Sequence, residues 1–225
     1  MVPLSYIRIL GTHNSEHYAP SEEASTYWAN FWALNVKEWA YSHPPLTDQL
    51  TMGWRNLELD FHMRKYSAMF YHIQMWDQAT NECYCYVSCF EIIKNWSNGN
   101  PSHFPLYIII EPKLDGFLED SYMMTHEPNL LDFLVIEQQA IRIFGDKIVT
   151  PDALRNGKES VQASALGNMP TVDNFYGKIF FIIWGSDLRP IYGDGTDGLK
   201  GRAFFTRSYF NERFERPETI FRESI

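Results

Sequence analysis

Short apolar runs punctuate this chain, and several of them end in polar side chains able to carry chemistry. Ile7, Ile9 and Leu10 predict a first strand, and Gly11 lets the backbone turn closely as it leaves toward His13 and Asn14. Residues 56–61 read as a buried strand whose Glu58 and Asp60 share one face. Residues 69–73 predict a third strand with His72 at its carboxyl end, and residues 106–111 a nearly continuous apolar strand that ends in Glu111, Pro112 and Lys113. A brief strand at 147–149, a clear one at 177–184 and a short candidate at 202–207 come after these. Helical spacing fills the intervals: from Ser25 or Thr26 through Trp39, a short helix from Thr47, 80–96 stopped by Asn98-Gly99-Asn100-Pro101, and 130–144. Another helix can begin at Thr150-Pro151-Asp152, residues 191–201 are a glycine-rich loop, and 208–225 are charged without a strong period. Strands alternating with helices imply one α/β domain over residues 1–225 with a mostly parallel sheet. Seven candidates fall short of the eight strands that close a barrel.

Ionised side chains inside or beside apolar strands cost several kcal/mol unless they are paired or hold an ion. Glu58, Asp60, Glu111 and Lys113 therefore need partners, and the carboxyl ends of parallel strands are where such folds place ligands. The 225 residues carry a net charge of -9, which argues against nucleic acid as a partner and leaves an anionic substrate dependent on a local cation. An aromatic content of 16% fits a well-filled core or, alternatively, Trp and Tyr at a lipid interface. No run of about 18 apolar residues indicates a membrane span. No signal peptide is read before the first strand, so the protein is expected to be intracellular unless a leader precedes this sequence, in which case it is secreted. Cys83, Cys85 and Cys89 lack a second cluster at zinc spacing; a disulfide from Cys83 or Cys85 to Cys89 would leave one thiol free.

Several motifs in this order resemble calcium-dependent phosphatidylinositol-specific phospholipase C: His13-Asn14, Pro45-Leu46-Thr47-Asp48-Gln49-Leu50, Arg55 with Leu57-Glu58-Leu59-Asp60, and Tyr71-His72. Trp96-Ser97, Asn100-Pro101 and His103 leading to Glu111-Pro112-Lys113, then Val149-Thr150-Pro151-Asp152 and Gly177-Lys178, extend the resemblance over residues 5–184. It implies a (β/α)8-type (TIM) barrel, here ending before the last barrel strands. It also implies His13 and His72 as catalytic histidines, Asn14, Glu58, Asp60 and Glu111 as calcium ligands, and Lys113 as a contact to substrate phosphate or inositol hydroxyls. The expected partner is a phospholipid at a membrane surface, met peripherally by a monomer.

The chemistry fits that set. Three carboxylates and an amide carbonyl are hard oxygen donors suited to calcium, and the absence of soft ligands from the set disfavours zinc. Cleavage by an internal hydroxyl needs phosphate charge neutralised, a proton removed and a leaving oxygen protonated. His72 is expected to protonate the glycerol oxygen and His13 to stabilise the phosphoryl charge, with either His13 or a carboxylate as base. Against this stand ion pairs of Glu58, Asp60 and Glu111 with Arg55 and Lys113, although Arg55 lies on the face opposite Glu58 in a regular strand. His62 and His103 read as structural, and Asp77 and Thr80 as residues orienting the loop after His72. Rival functions are a glycerophosphodiester phosphodiesterase and a non-catalytic inositol-phosphate or membrane-binding module.

Overall fold

The computed structural model describes residues 2–32, 39–64, 67–72, 82, 83, 85–113, 125–161, 163, 164, 170–185, 189–193, 196 and 198–206. Five strands lie side by side and parallel: β1 (Gly11–Thr12), β2 (Asn56–Arg64), β4 (Leu106–Pro112), β6 (Ile179–Ile183) and β7 (Phe205–Thr206). Two further strands, β3 (Ser67–Phe70) and β5 (Thr125–His126), pair antiparallel with the far half of β2. Along the parallel path each strand neighbours the next in sequence without reversal, the winding of the expected TIM-type α/β fold rather than of a doubly wound sheet. Among the described residues no pairing joins β7 back to β1.

The period of two in the strands gives the sheet two different faces. Leu57, Leu59 and Phe61 of β2, Ile108 and Ile110 of β4 and Phe181 of β6 point to the outer core. There they meet Leu46 and Leu50 of α2 (Leu46–Thr51), Phe90 and Ile93 of α3 (Tyr86–Gly99), and Phe133 and Phe144 of α4 (Leu130–Phe144). The Phe90 ring centroid stands 5.6 Å from that of Phe144 and 5.2 Å from that of Phe181, so one aromatic cluster ties both helices to the sheet. On the inner face, Tyr107 stacks on Phe180 at 4.9 Å, and Leu4, Val172, Phe175 and Phe205 complete an apolar plug. The chain start closes that plug from below, Leu4 N–H donating to Pro170 O at 2.9 Å and Val172 N–H to Val2 O at 3.0 Å. Above the plug, toward the carboxyl ends of the strands, the inner face changes to Glu58, Asp60 and Glu111.

Local chemistry sets the helix ends. Asn129 accepts from the backbone N–H groups of Leu131 and Asp132 at the start of α4, while Thr150 Oγ1 accepts from Ala153 N–H to start α5 (Pro151–Arg155). α1 (Glu22–Trp32) begins earlier than the expected Ser25 or Thr26, because Ser21 Oγ accepts from Ala24 N–H and two glutamates occupy the first turn. α3 begins at Tyr86 rather than near 80, with Cys85 and Ser88 forming its capping box. A disulfide joins Cys83 to Cys89 and leaves Cys85 as the thiol, so of the two pairings the sequence allows, the one from Cys83 forms.

Other expectations shift. The first strand is Gly11–Thr12, not 7–10, since Leu10 is exposed and only Ile7 and Ile9 pack against the inner plug. β3 turns back along β2 instead of joining the parallel ring, and residues 147–149 contribute one parallel bridge, from Ile148 to Ile179. A short helix, α6 (Arg189–Gly193), enters the predicted 191–201 loop; its Tyr192 hydroxyl donates to buried Glu137 Oε1 at 2.8 Å and accepts from Phe204 N–H at 3.0 Å. Arg55 forms no ion pair with Glu58 or Glu111: it donates to the carbonyls of Leu50 and Trp54 and lies over the Trp96 ring. His103 is structural as expected, bonded to Ser97 Oγ at 2.8 Å and to Phe104 O at 2.7 Å. Asp77, Thr80 and 208–225 lie outside the described residues.

A Cβ on Gly11 would stand 2.5 Å from both Cβ and O of Asn56, so Gly11→Ala is expected to destabilise by about 1–3 kcal/mol in urea unfolding. Burial holds the His103 imidazole below its ordinary 6.5, against the opposing bond to Phe104 O. Its contribution to stability is therefore present above that value and fades as pH falls through the depressed one. The drop in unfolding free energy between about pH 7.5 and about pH 5 should be shallower in His103→Gln than in the parent.

Candidate active site

β1 is only two residues long, and a knot of polar side chains fixes the turn beyond it. Thr12 Oγ1 lies 2.6 Å from Ser15 Oγ and donates to Gln49 Oε1 at 2.7 Å. Gln49 Nε2 donates to the carbonyls of Ser15 and Pro44 at 2.8 and 2.7 Å. Ser15 N–H donates to Glu58 O at 2.7 Å and Glu58 N–H to Ser15 Oγ at 2.9 Å, so the turn continues the pairing with β2. Between these anchors Asn14 takes φ 50°, a left-handed conformation that asparagine tolerates. His13 and Asn14 are thereby brought over Glu58.

The parallel register sets Asp60 beside Glu111 on the inner face, and Lys113 lies on the same face two residues later. Lys113 Nζ bridges them, 3.2 Å from Asp60 Oδ2 and 3.0 Å from Glu111 Oε2. His72 arrives from the hairpin, because Tyr71 N–H donates to Asp60 O and His62 Nε2 bonds to His72 O at 3.3 Å. His72 Nε2 then stands 4.0 Å from Asp60 Oδ2, and His13 Nε2 stands 3.5 Å from Glu58 Oε2. The two imidazole centroids are 6.4 Å apart. All seven residues singled out in the sequence, His13, Asn14, Glu58, Asp60, His72, Glu111 and Lys113, thus join one network at the carboxyl ends of β1, β2 and β4.

Electrostatics dominate here. Burial and the nearby Glu16 carboxylate push Asp60 well above the usual carboxylate range, Lys113 pulling the other way. Burial opposes the charge on Lys113, but Asp60 and Glu111 outweigh it and raise its pKa. The His13 imidazole is pushed down by burial and then by Lys113, which favours its neutral form. His13 has a side chain 66% exposed, whereas that of His72 is 17% exposed, so the two imidazoles differ in access as well as in neighbours.

The donor set fits a hard cation on two counts. The oxygens are carboxylates and one amide, and two fully buried ones, Asn14 Oδ1 and Asp60 Oδ1, accept no hydrogen bond among the described residues. A buried oxygen left so costs about 1–3 kcal/mol, which a cation would offset. Among the described residues no three acidic, imidazole or thiol groups already stand together as a metal site. The Lys113 ammonium takes up the gap between Asp60 and Glu111 instead.

Four neighbours were not singled out in the sequence. Glu16 is fully buried and accepts from Asp60 N–H at 3.1 Å. His17 lies with its ring 5.7 Å from that of His72 and 4.4 Å from that of Tyr41. Tyr41 Oη accepts from Asn14 Nδ2 at 2.8 Å, and His43 Nε2 bonds to His13 O at 2.9 Å. An unbroken polar run from Thr12 to His17 is the available signal for the first pair; Tyr41 and His43 reach the site only through tertiary contacts.

A family model described as "Phosphoinositide phospholipase C, Ca2+-dependent" matches residues 2–70 and 61–214. The fold is similar to that of a calcium-dependent phosphoinositol-specific phospholipase C from the Gram-negative bacterium Pseudomonas sp. With its myoinositol complex the TM-score is 0.67 at 19% identity, covering 96% of this chain and 70% of that one. With an apo crystal form of the same protein it is 0.66 at 19% identity, covering 96% and 69%. A Ca2+-dependent phosphatidylinositol-specific phospholipase C from Streptomyces antibioticus gives a TM-score of 0.61 at 17% identity, covering 95% and 72%. No curated protein sequence matches this chain.

Removing the Lys113 ammonium should leave Asp60 and Glu111 repelling each other. Lys113→Met is expected to lose on the order of 3 kcal/mol of stability in chelator, and added calcium to restore more of it than in the parent. Thermal unfolding with and without calcium reads both effects; an unchanged midpoint in chelator would remove the bridge from the account.

Proposed function

This chain belongs to the Ca2+-dependent phosphoinositide phospholipase C family, and we propose that it cleaves phosphatidylinositol-type lipids at a membrane surface. The observation that carries the reading is the convergence of two imidazoles, one ammonium and three carboxylates at the carboxyl ends of neighbouring parallel strands. Phosphodiester cleavage makes several demands at once, for charge neutralisation, proton removal and proton delivery, and this set has a group for each.

Asn14, Glu58, Asp60 and Glu111 would hold the calcium ion. When bound, calcium supplies positive charge against the phosphate oxygens and makes a nearby inositol hydroxyl more acidic. His72 delivers a proton to the glycerol oxygen as the phosphorus–oxygen bond breaks, with the Asp60 carboxylate as counter-charge for its imidazolium. His13, at the more open edge, stabilises the phosphoryl charge; either its imidazole or a neighbouring carboxylate takes the proton from the attacking 2-hydroxyl. Lys113 contacts phosphate or inositol hydroxyls. The products of this step are diacylglycerol and a cyclic inositol phosphate, which water can then open.

No helix among the described residues is long and apolar enough to cross a membrane, which is compatible with peripheral contact. With a net charge of -9 the chain has no overall attraction for an anionic lipid, so the local cations carry the recognition.

Phosphatidylinositol vesicles incubated with the protein are expected to release water-soluble inositol phosphate with calcium and not with excess chelator. His72→Ala and His13→Ala should each lower the rate by about 10²–10⁴-fold. Near-parental cleavage by His72→Ala would refute its acid role. Release from soluble glycerophosphodiesters in place of the lipid would redirect the assignment within phosphodiesterases, and no release from folded protein in any condition would favour a binding module.

A further inference from the structure

The segment that returns to the site at residues 39–43 supplies a function of its own. Asn14 is fixed at the backbone: its N–H donates to Glu58 Oε2 at 3.2 Å and its carbonyl accepts from His17 N–H at 2.8 Å. Its side chain, buried like the rest of the residue, has two unlike ends. The Nδ2 end donates to Tyr41 Oη at 2.8 Å, while Oδ1 accepts no hydrogen bond among the described residues. A cation binds only the oxygen, so the amide must present Oδ1 and find an acceptor for Nδ2.

Tyr41 is itself held from several sides. Its ring packs on His17 at 4.4 Å and on His43 at 5.4 Å. His43 N–H donates to His17 O at 3.1 Å, His43 Nε2 bonds to His13 O at 2.9 Å, and His17 Nε2 bonds to Trp39 O at 3.0 Å. These contacts fix the hydroxyl against the turn that carries His13 and Asn14.

We propose that Tyr41 is a positioning residue for the calcium site, holding the Asn14 amide with Oδ1 turned toward the carboxylates. This rests on the calcium reading above. In this role Tyr41 acts through Asn14, as outer partners of metal ligands commonly do.

Calcium binding to the full chain, measured by titration calorimetry, tests the proposal in four proteins: the parent, Tyr41→Phe, Asn14→Asp and the double variant. Phenylalanine keeps the ring contacts and removes only the hydroxyl, so the dissociation constant should rise by about tenfold in the Asn14 background. A carboxylate at position 14 has two equivalent oxygens and no orientation to fix, so Tyr41→Phe should change calcium affinity by less than about twofold there. Unchanged affinity in Tyr41→Phe alone, or an equal loss in both backgrounds, would overturn the proposal, the latter because it would mean general loosening. A parent protein that binds no calcium would overturn the calcium reading and this inference with it, whereas a binding parent with an unaffected Tyr41→Phe overturns the inference alone.

Discussion

Packing several carboxylates into the upper end of the sheet interior is the constraint on which the rest of this structure depends. Glu16, Glu58 and Asp60 are buried and Glu111 is half-buried beside them, yet one ammonium, that of Lys113, is in ion-pair contact with two of the four. Like charges at such distances repel strongly in a medium less polar than water. The fold answers with fixed donors: Asn14 N–H on Glu58 and Asp60 N–H on Glu16. Those bonds also define the geometry of the site. The electrostatic demand and the positioning of the chemistry are met by the same contacts.

That demand divides the sheet by height as well as by face. The outer face is apolar along its length and gains stability from α2, α3 and α4. The inner face is apolar only below, where Tyr107, Phe180 and Phe205 fill the interior, and becomes acidic above. The apolar plug lies beneath the charges, on the side away from the carboxyl ends of the strands. The change occurs within β4, between Tyr107 and Glu111, and Glu58 and Asp60 likewise stand on the inner face of β2, so the chemistry is mounted on rigid backbone and not on loops alone.

How much of this is legible in the sequence depends on whether the signal is local. The strands of Glu58, Asp60 and Glu111 are legible because apolar residues surround charges at a period of two, a pattern with few other solutions. α4 is legible from the helical spacing of its apolar residues, and the start of α5 from Thr150 and Pro151, which act within a turn of their own position. The first strand is misplaced by sequence because Ile7 and Ile9 have the composition of a strand but pack against the plug, while pairing belongs to Gly11, whose missing side chain allows close approach to Asn56. β3 reads as a member of the parallel ring because its residues carry no information about direction. Tyr41 and His43 have no local mark, since their value lies in contacts across long stretches of chain, 27 residues for Tyr41 to Asn14 and 30 for His43 to His13.

The distribution of these long-range contacts bears on how the molecule divides stability from function. Leu57, Phe90 and Phe181 contribute burial without opposing charge, so the outer core gains from every contact it makes. The site is the reverse: Asn14 sits in a left-handed conformation, and Asn14 Oδ1 and Asp60 Oδ1 are buried without a hydrogen bond among the described residues. Each of these features costs stability in the unliganded protein, and a chain selected for stability alone would replace them with apolar side chains. They persist in an arrangement where β1, β2, β3, β4 and the 39–43 segment must all dock before any one side chain is in place. A region so costly and so collectively held is what a preorganised binding site requires, because the free energy of excluding water and aligning the oxygens is supplied in folding and need not be found again when a ligand arrives.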